Sequence, residues 1–278
     1  MRFGGPVMEK WETPGQWAET VRRLGYSAAY CPARLDDDDD LVAAYAAAAA
    51  EADVVIAEVG AWSNPLSSDD AVRSAAMDKC KRSLALADRI GARCCVNIAG
   101  SRGTPHHGPH PIDLTDETFD CIVACVREII DAVQPTRTDY VLETMPWLYP
   151  DSADSYMRLI EAIDREHFAA HFDPVNLVCS PQAYFRNAEL IRDFTAKLGP
   201  RIRSCHAKDT LLGGELTTHL DEAAPGEGGL DYRTFLTELD GLDPDVCLMM
   251  EHLKTADQYA AAAAYIRSVA AEAGVSLG

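Results

Sequence analysis

The chain has 278 residues, 47% of them apolar and 25% charged, which is the balance of a soluble globular protein long enough to bury a large core. Asp and Glu outnumber Lys and Arg by 44 to 25, for a formal net charge of −19. A surface that acidic repels phosphate backbones and anionic lipids, so the sequence predicts no nucleic-acid or membrane partner, and no apolar run approaches the about 20 residues of a transmembrane helix.

From the N-terminus onward, short β-branched or apolar runs alternate with helical periods. The predicted strands are Phe3–Val7, Ser27–Cys31, Asp53–Glu58, Arg93–Ala99, Tyr140–Glu143, Ala169–Asp173, Ile202–His206 and Val246–Glu251. Between them, Asp36–Asp40 reads as an acidic helix start before the Ala-rich stretch to Ala52, placed where the helix dipole favours negative charge. Val72, Ala76, Cys80, Leu84 and Ala87 form one apolar helical stripe, with Gly91 as its stop. A second runs from Phe119 to Val133 behind the cap Thr115, and a third through Tyr156, Leu159, Ile160 and Ile163. Thr255 and Gln258 make a capping box for the last helix.

Eight strands, each followed by a helix, with no linker between them, predict a single-domain α/β TIM (β/α)8 barrel over residues 1–278. A doubly wound sheet is the alternative, but no Gly-rich phosphate turn follows the first strand. The nine cysteines are scattered without a C-x-x-C pair. Free buried thiols are therefore expected, and with no apolar leader in Met1–Pro6 the expected compartment is the cytoplasm.

The chemistry is concentrated at the ends of the last four predicted strands. They finish at Glu143, Asp173, His206 and Glu251, and in a barrel all those ends open on the face where active sites form. Each residue alone has an ordinary reading as a cap, a turn former or a surface partner. Together, three carboxylates and an imidazole make a mixed oxygen and nitrogen set suited to one divalent ion, Mn2+ first, with Mg2+, Co2+ or Zn2+ as alternatives. Side-chain alternation places Met249 and Cys247 below Glu251, puts His171 one layer beneath Asp173, and turns Cys205 toward the helices. The Gly-, Pro- and His-rich stretch Ser101–Pro111 follows the fourth strand and is long enough to cover the site.

The ordered motifs Leu142-Glu143-Thr144, Phe172-Asp173-Pro174-Val175-Asn176, His206-Ala207-Lys208-Asp209, Pro225-Gly226-Glu227-Gly228 and Met250-Glu251-His252 resemble the xylose isomerase-like TIM barrels. That family includes ketose 3-epimerases, inosose dehydratase and hydroxypyruvate isomerase, with endonuclease IV as a distant relative. The resemblance spans nearly the whole chain. It implies that Glu143, Asp173, His206 and Glu251 hold one metal ion, that Glu143 and Glu251 form the acid/base pair, and that Lys208 and Glu227 border the site. This chain departs from the ketose 3-epimerases at Asn176, where they carry a histidine; an amide binds a hydroxyl but takes no proton near neutral pH. The stretches around Glu143–Trp147 and Asp173–Leu177 are also similar to the α subunits of C-glycoside deglycosidases.

Such a site is expected to remove a proton next to a keto-sugar carbonyl, with a metal-stabilised enediolate to follow. Return of the proton gives a sugar isomerase or epimerase; loss of a β-substituent gives a lyase on an oxidised sugar. His106, His107 and His110 are candidate acids or hydroxyl binders, Asn176, Lys208 and Glu227 candidate substrate contacts, and Trp62 and Trp147 candidate stacking walls. The expected partner is a small carbohydrate, with a homo-oligomer, or a small partner subunit in the deglycosidase case. An endonuclease IV-like nuclease would need a basic groove, which the charge disfavours, and a barrel binding metal without catalysis is the remaining alternative.

Overall fold

The computed structural model describes residues 1–278. The strands are β1 (Arg2–Gly5), β2 (Ala28–Tyr30), β3 (Val55–Gly60), β4 (Cys94–Asn97), β5 (Asp139–Glu143), β6 (Phe168–Phe172), β7 (Ile202–Ala207), β8 (Asp209–Leu212), β9 (Leu220–Ala223) and β10 (Cys247–Met250). The helices are α1 (Pro14–Arg23), α2 (Asp39–Glu51), α3 (Asp70–Ile90), α4 (Asp116–Val133), α5 (Ala153–Ile163), α6 (Pro174–Leu177), α7 (Pro181–Phe185), α8 (Asn187–Leu198), α9 (Tyr232–Asp240) and α10 (Ala256–Ala273). Eight of the strands close a parallel barrel in the order β1-β10-β7-β6-β5-β4-β3-β2, with β1 pairing β2 on its other side. No helix is long and apolar enough to cross a membrane.

All eight predicted barrel strands are present, each within two residues of its expected bounds. The helix signals also act as read. Asp38 caps α2 by accepting from the Leu41 amide, with Asp39 and Asp40 in its first turn. Thr115 caps α4, Thr255 and Gln258 form the capping box of α10, and Gly91 ends α3 in the left-handed conformation that a side chain would resist. One stripe residue differs: Val72, in the first turn of α3, is exposed, while the buried residues of the helix begin at Ala76.

The sequence reading did not foresee β8 and β9, an antiparallel hairpin standing outside the barrel immediately after β7. Its strands are four residues each and mix buried, half-buried and exposed positions, so no hydrophobic alternation announces them.

Strand alternation divides the interior in two. Outward side chains pack under the helices, as where Phe172 of β6 stacks on Phe194 of α8 at 3.9 Å; Cys205 also lies in this outer core. The barrel lumen is filled by small and medium residues, one cluster being Ala28, Ala57, Cys247 and Met249 and another Cys94, Val96, Val141 and Ala169. All nine cysteines are free; five are buried and only Cys179 is exposed.

Candidate metal centre

Four of the barrel elements deliver the ligand-type residues to one point at the C-terminal mouth. Glu143 is the last residue of β5, Asp173 follows β6, His206 lies in β7 and Glu251 follows β10. One ligand-type atom from each falls within 4.8 Å of all the others. His206 Nδ1 lies 3.0 Å from Glu143 Oε1, 2.9 Å from Glu251 Oε1 and 3.8 Å from Asp173 Oδ2.

The backbone beneath is fixed by two hydroxyls. Thr144 Oγ1 accepts from the Asp173 amide at 3.0 Å and donates to the Asp173 carbonyl at 2.9 Å, clasping the ends of β5 and β6. The buried Tyr156 hydroxyl accepts from the amides of Leu142 and His171, both at 3.1 Å, and lies 2.7 Å from the Leu142 carbonyl and 3.0 Å from that of Ala169. Asp173 uses Oδ1 to cap α6, accepting from Val175 and Asn176 amides, and so leaves Oδ2 for the site.

The donor set fits a divalent ion. Asp173 Oδ2 and Glu251 Oε1 are buried and turned toward His206, so the cluster presents acceptor atoms inward from three carboxylates. Three carboxylates and one imidazole would supply oxygen and nitrogen ligands. The Lys208 ammonium also stands among them, 2.6 Å from Asp173 Oδ2, 2.9 Å from Glu251 Oε1 and 4.0 Å from Glu143 Oε1.

Burial sets these charges against one another. Burial would raise the Asp173 and Glu251 carboxyls, but Lys208 and His206 outweigh it and hold both well below the usual range. For Glu143 burial wins, and its carboxyl is raised despite His206. Burial disfavours charge on His206 and Lys208, yet the surrounding carboxylates push both well above their ordinary values.

Above the four residues opens a cavity of about 590 Å³. Glu143, Glu251, Asn176, Lys208, His106, His107 and Trp62 all line it. The Asn176 amide donates to Glu143 Oε1 at 3.2 Å and to the Thr144 carbonyl at 3.1 Å, so it orients the carboxylate. The His-rich loop is anchored by Asp113, which accepts from Ser101 Oγ and the Arg102 amide, and by Trp147, whose indole donates to the His107 carbonyl at 2.6 Å.

Two candidates stand apart. His110 packs over Gly103 rather than on the cavity, and Glu227 is exposed on the turn after β9. That turn is held by Asp209, which accepts from the amides of Thr210, Gly226 and Leu230. The acidic residue of His206-Ala207-Lys208-Asp209 thus organises a loop. Trp147 lines an adjoining hollow of about 430 Å³ with Val175, Val178 and Leu220, which meets the main cavity at Asn176 and Glu222.

The sequence reading missed Glu58, Tyr30 and Glu222 and gave no role to His252. Glu222 comes from the unforeseen hairpin and lies 3.5 Å from Lys208 Nζ and 3.0 Å from His252 Nδ1. Glu58 is buried under His206. Strict alternation would send it outward with Ile56, but the β2–β3 register shifts between Ala29 and Tyr30, which pair with Ile56 and Glu58, and the extra residue turns Glu58 inward.

The family described as xylose isomerase-like TIM barrel matches residues 18–269, nearly the whole barrel. The chain belongs to that family. No curated protein matches it. Among solved structures it is similar to 3-keto-D-glucoside 4-epimerase YcjR from E. coli (TM-score 0.68, 15% identity, 96% of this chain and 99% of that one). It is also similar to the probable 3-DHS dehydratase AsbF from Bacillus anthracis (0.70, 14%, 97% and 98%). A third is a xylose isomerase-like TIM barrel protein from Mycobacterium smegmatis in complex with magnesium (0.66, 18%, 94% and 90%). At these identities the likeness is one of fold.

Proposed function

We propose that this xylose isomerase-like barrel is a divalent-metal-dependent sugar isomerase or epimerase that moves a proton next to a keto-sugar carbonyl. The observation that carries the reading is the convergence of Glu143 and Glu251 on one cavity, around a cluster of three carboxylates and an imidazole of metal-ligand type. The epimerase and the magnesium-containing barrel among its structural neighbours support the same reading.

Glu143, Asp173, His206 and Glu251 would hold the ion. When bound, it supplies Lewis-acid polarisation of substrate oxygens. The chain's own residues do the rest. One of the two glutamates takes the proton from the carbon beside the carbonyl, and the other faces the substrate as the complementary acid. Asn176 holds Glu143 in one orientation, which shortens the search for a productive geometry. Trp62, half exposed on the cavity wall, offers a face for a sugar ring, and His106 and His107 offer imidazoles to its hydroxyls. Manganese remains the ion we favour, on the donor set alone.

A second reading is a lyase that expels a β-substituent from an oxidised sugar. It is favoured by the apolar hollow at Trp147, which joins the main cavity and would seat a leaving group beyond the sugar ring. The test is mass spectrometry in D2O with Mn2+, over ketoses, inososes and 3-oxo-glycosides. Deuterium gained at constant heavy-atom composition supports the isomerase or epimerase. Loss of water or of an aglycone moves the assignment to the lyase. No exchange and no loss across the panel overturns both.

A further inference from the structure

Beneath the four-residue cluster lies a second buried polar group that the proton-transfer reading does not use. Glu58 of β3 is 1% exposed and sits below His206 in the barrel. Its Oε1 accepts from the Ser204 hydroxyl and lies 3.2 Å from His171 Nε2, while its Oε2 lies 3.4 Å from His206 Nε2. An isolated buried carboxylate is costly. Here every neighbour is a potential donor, so the group is built in rather than tolerated.

The two nitrogens of His206 face in opposite directions. Nδ1 points up at Glu143 and Glu251, and Nε2 points down at Glu58. An imidazole that ligates an ion is neutral and carries one N–H. With Glu58 able only to accept, the proton belongs on Nε2, and the Nδ1 lone pair is left for an ion. Ser204 and His171, one layer down on β7 and β6, hold the carboxylate in the position from which it does this.

We propose that Glu58 is a positioning residue of the metal centre, fixing the tautomer and ring plane of His206 so that Nδ1 is presented to a divalent ion. The proposal rests on the metal-dependent reading above and adds a residue to it. Glu58, His171 and His206 are themselves close enough to hold an ion. That use would compete with the upper cluster for His206, since a neutral imidazole has one lone pair to give. The Ser204 hydroxyl already occupies Glu58 Oε1, so the lower group is a hydrogen-bonded floor and the protein takes one ion per chain.

The experiment is calorimetric titration of the metal-free full chain with Mn2+, with no sugar present, on the parent, Glu58→Gln and Ser204→Ala. The parent is expected to take up one ion. Glu58→Gln, folded by circular dichroism, should bind it about 10- to 100-fold more weakly. Ser204→Ala, which frees the carboxylate without touching His206, should weaken binding by a smaller factor and carries the test if Glu58→Gln does not fold. With Zn2+ as a diamagnetic probe, the His206 Nε2–H should be slow to exchange in the parent and fast in the variants, a change that general loosening of the fold would spread over other residues. Folded variants with parental affinity and a protected His206 Nε2–H overturn the proposal. So does uptake of two ions per chain. A parent that binds no ion overturns it together with the metal reading, whereas a parent that binds Mn2+ but turns over no sugar overturns only the assigned reaction.

Discussion

Lys208 places its ammonium 2.6 Å from Asp173 Oδ2, and both side chains are almost completely buried. The same nitrogen is 2.9 Å from Glu251 Oε1. A cation is therefore built into the carboxylate cluster, where it offsets a repulsion that burial would otherwise make severe. Lys208→Met keeps the stem and removes the charge. In metal-free protein it should cost about 3–5 kcal/mol, the usual loss when one partner of a buried pair is deleted. Saturating Mn2+ should recover part of that loss. Urea unfolding with and without the ion measures both; a variant as stable as the parent in the metal-free state would show that Lys208 does not hold the cluster together.

Glu143→Gln keeps the shape of the side chain and removes its ability to accept a proton. Under the proposed reaction turnover should fall by about 10²- to 10⁴-fold, with the circular dichroism spectrum and melting temperature little changed. Deuterium exchange into substrate is the sensitive assay, because it reports proton removal even where no net product forms.

Tyr156 holds the site from behind. Its hydroxyl bridges the backbones of β5 and β6, the strands that lead into Glu143 and Asp173. Tyr156→Phe leaves buried amides of Leu142 and His171 without that partner, at a cost of about 1–3 kcal/mol. Because the two ligand-bearing strand ends lose a shared anchor, Mn2+ affinity should fall as well. Chemical denaturation and calorimetry on the same variant separate the two effects.

Asp88 gives a pH-dependent test away from the mouth. Its Oδ1 accepts from the amides of Thr136 and Arg137, both at 2.7 Å, and ties the lead-in to β5 onto α3. Burial raises the carboxyl somewhat, but these N–H donors outweigh it and hold the group below its ordinary value. A folded value below the unfolded one means stability that is present above the ordinary aspartate range, about 3.9, and lost as pH falls through the folded value. The stability difference between the parent and Asp88→Ala should be constant near neutral pH and shrink under acid. A difference that stays unchanged well below that range would remove the ionised carboxylate as its cause.

Much of this is legible in the amino-acid sequence. Eight strands showed themselves because a barrel strand is buried on both faces and its apolar run is hard to miss. The residues at Glu143, Asp173, His206 and Glu251 were legible because a strand end in this fold has one known direction to face. Alternation also put Cys247 and Met249 in the lumen and Cys205 in the outer core. The same rule failed at Glu58, because one extra residue in β3 reverses every orientation after it and leaves no mark on composition. His110 was named by residue type and Glu227 through the motif resemblance, but where a loop side chain points depends on contacts such as those of Asp113 and Asp209, which lie elsewhere in the chain.

The hairpin of β8 and β9 brings Glu222 and Leu220 to the cavity rim yet contributes none of the four residues at the centre. Under the proposed reaction, the part of the molecule that would meet a substrate's periphery and the part that gathers the ligand-type atoms are thus encoded in separate stretches of chain. Mutation, insertion or wholesale exchange of the hairpin leaves the ligand-bearing strands untouched. Under the proposed reaction a lineage can in this way change its substrate while keeping its ligand set, and the same division marks Leu211–Glu222, with Asp209 kept to hold the turn, as the segment to randomise when redirecting this barrel by directed evolution.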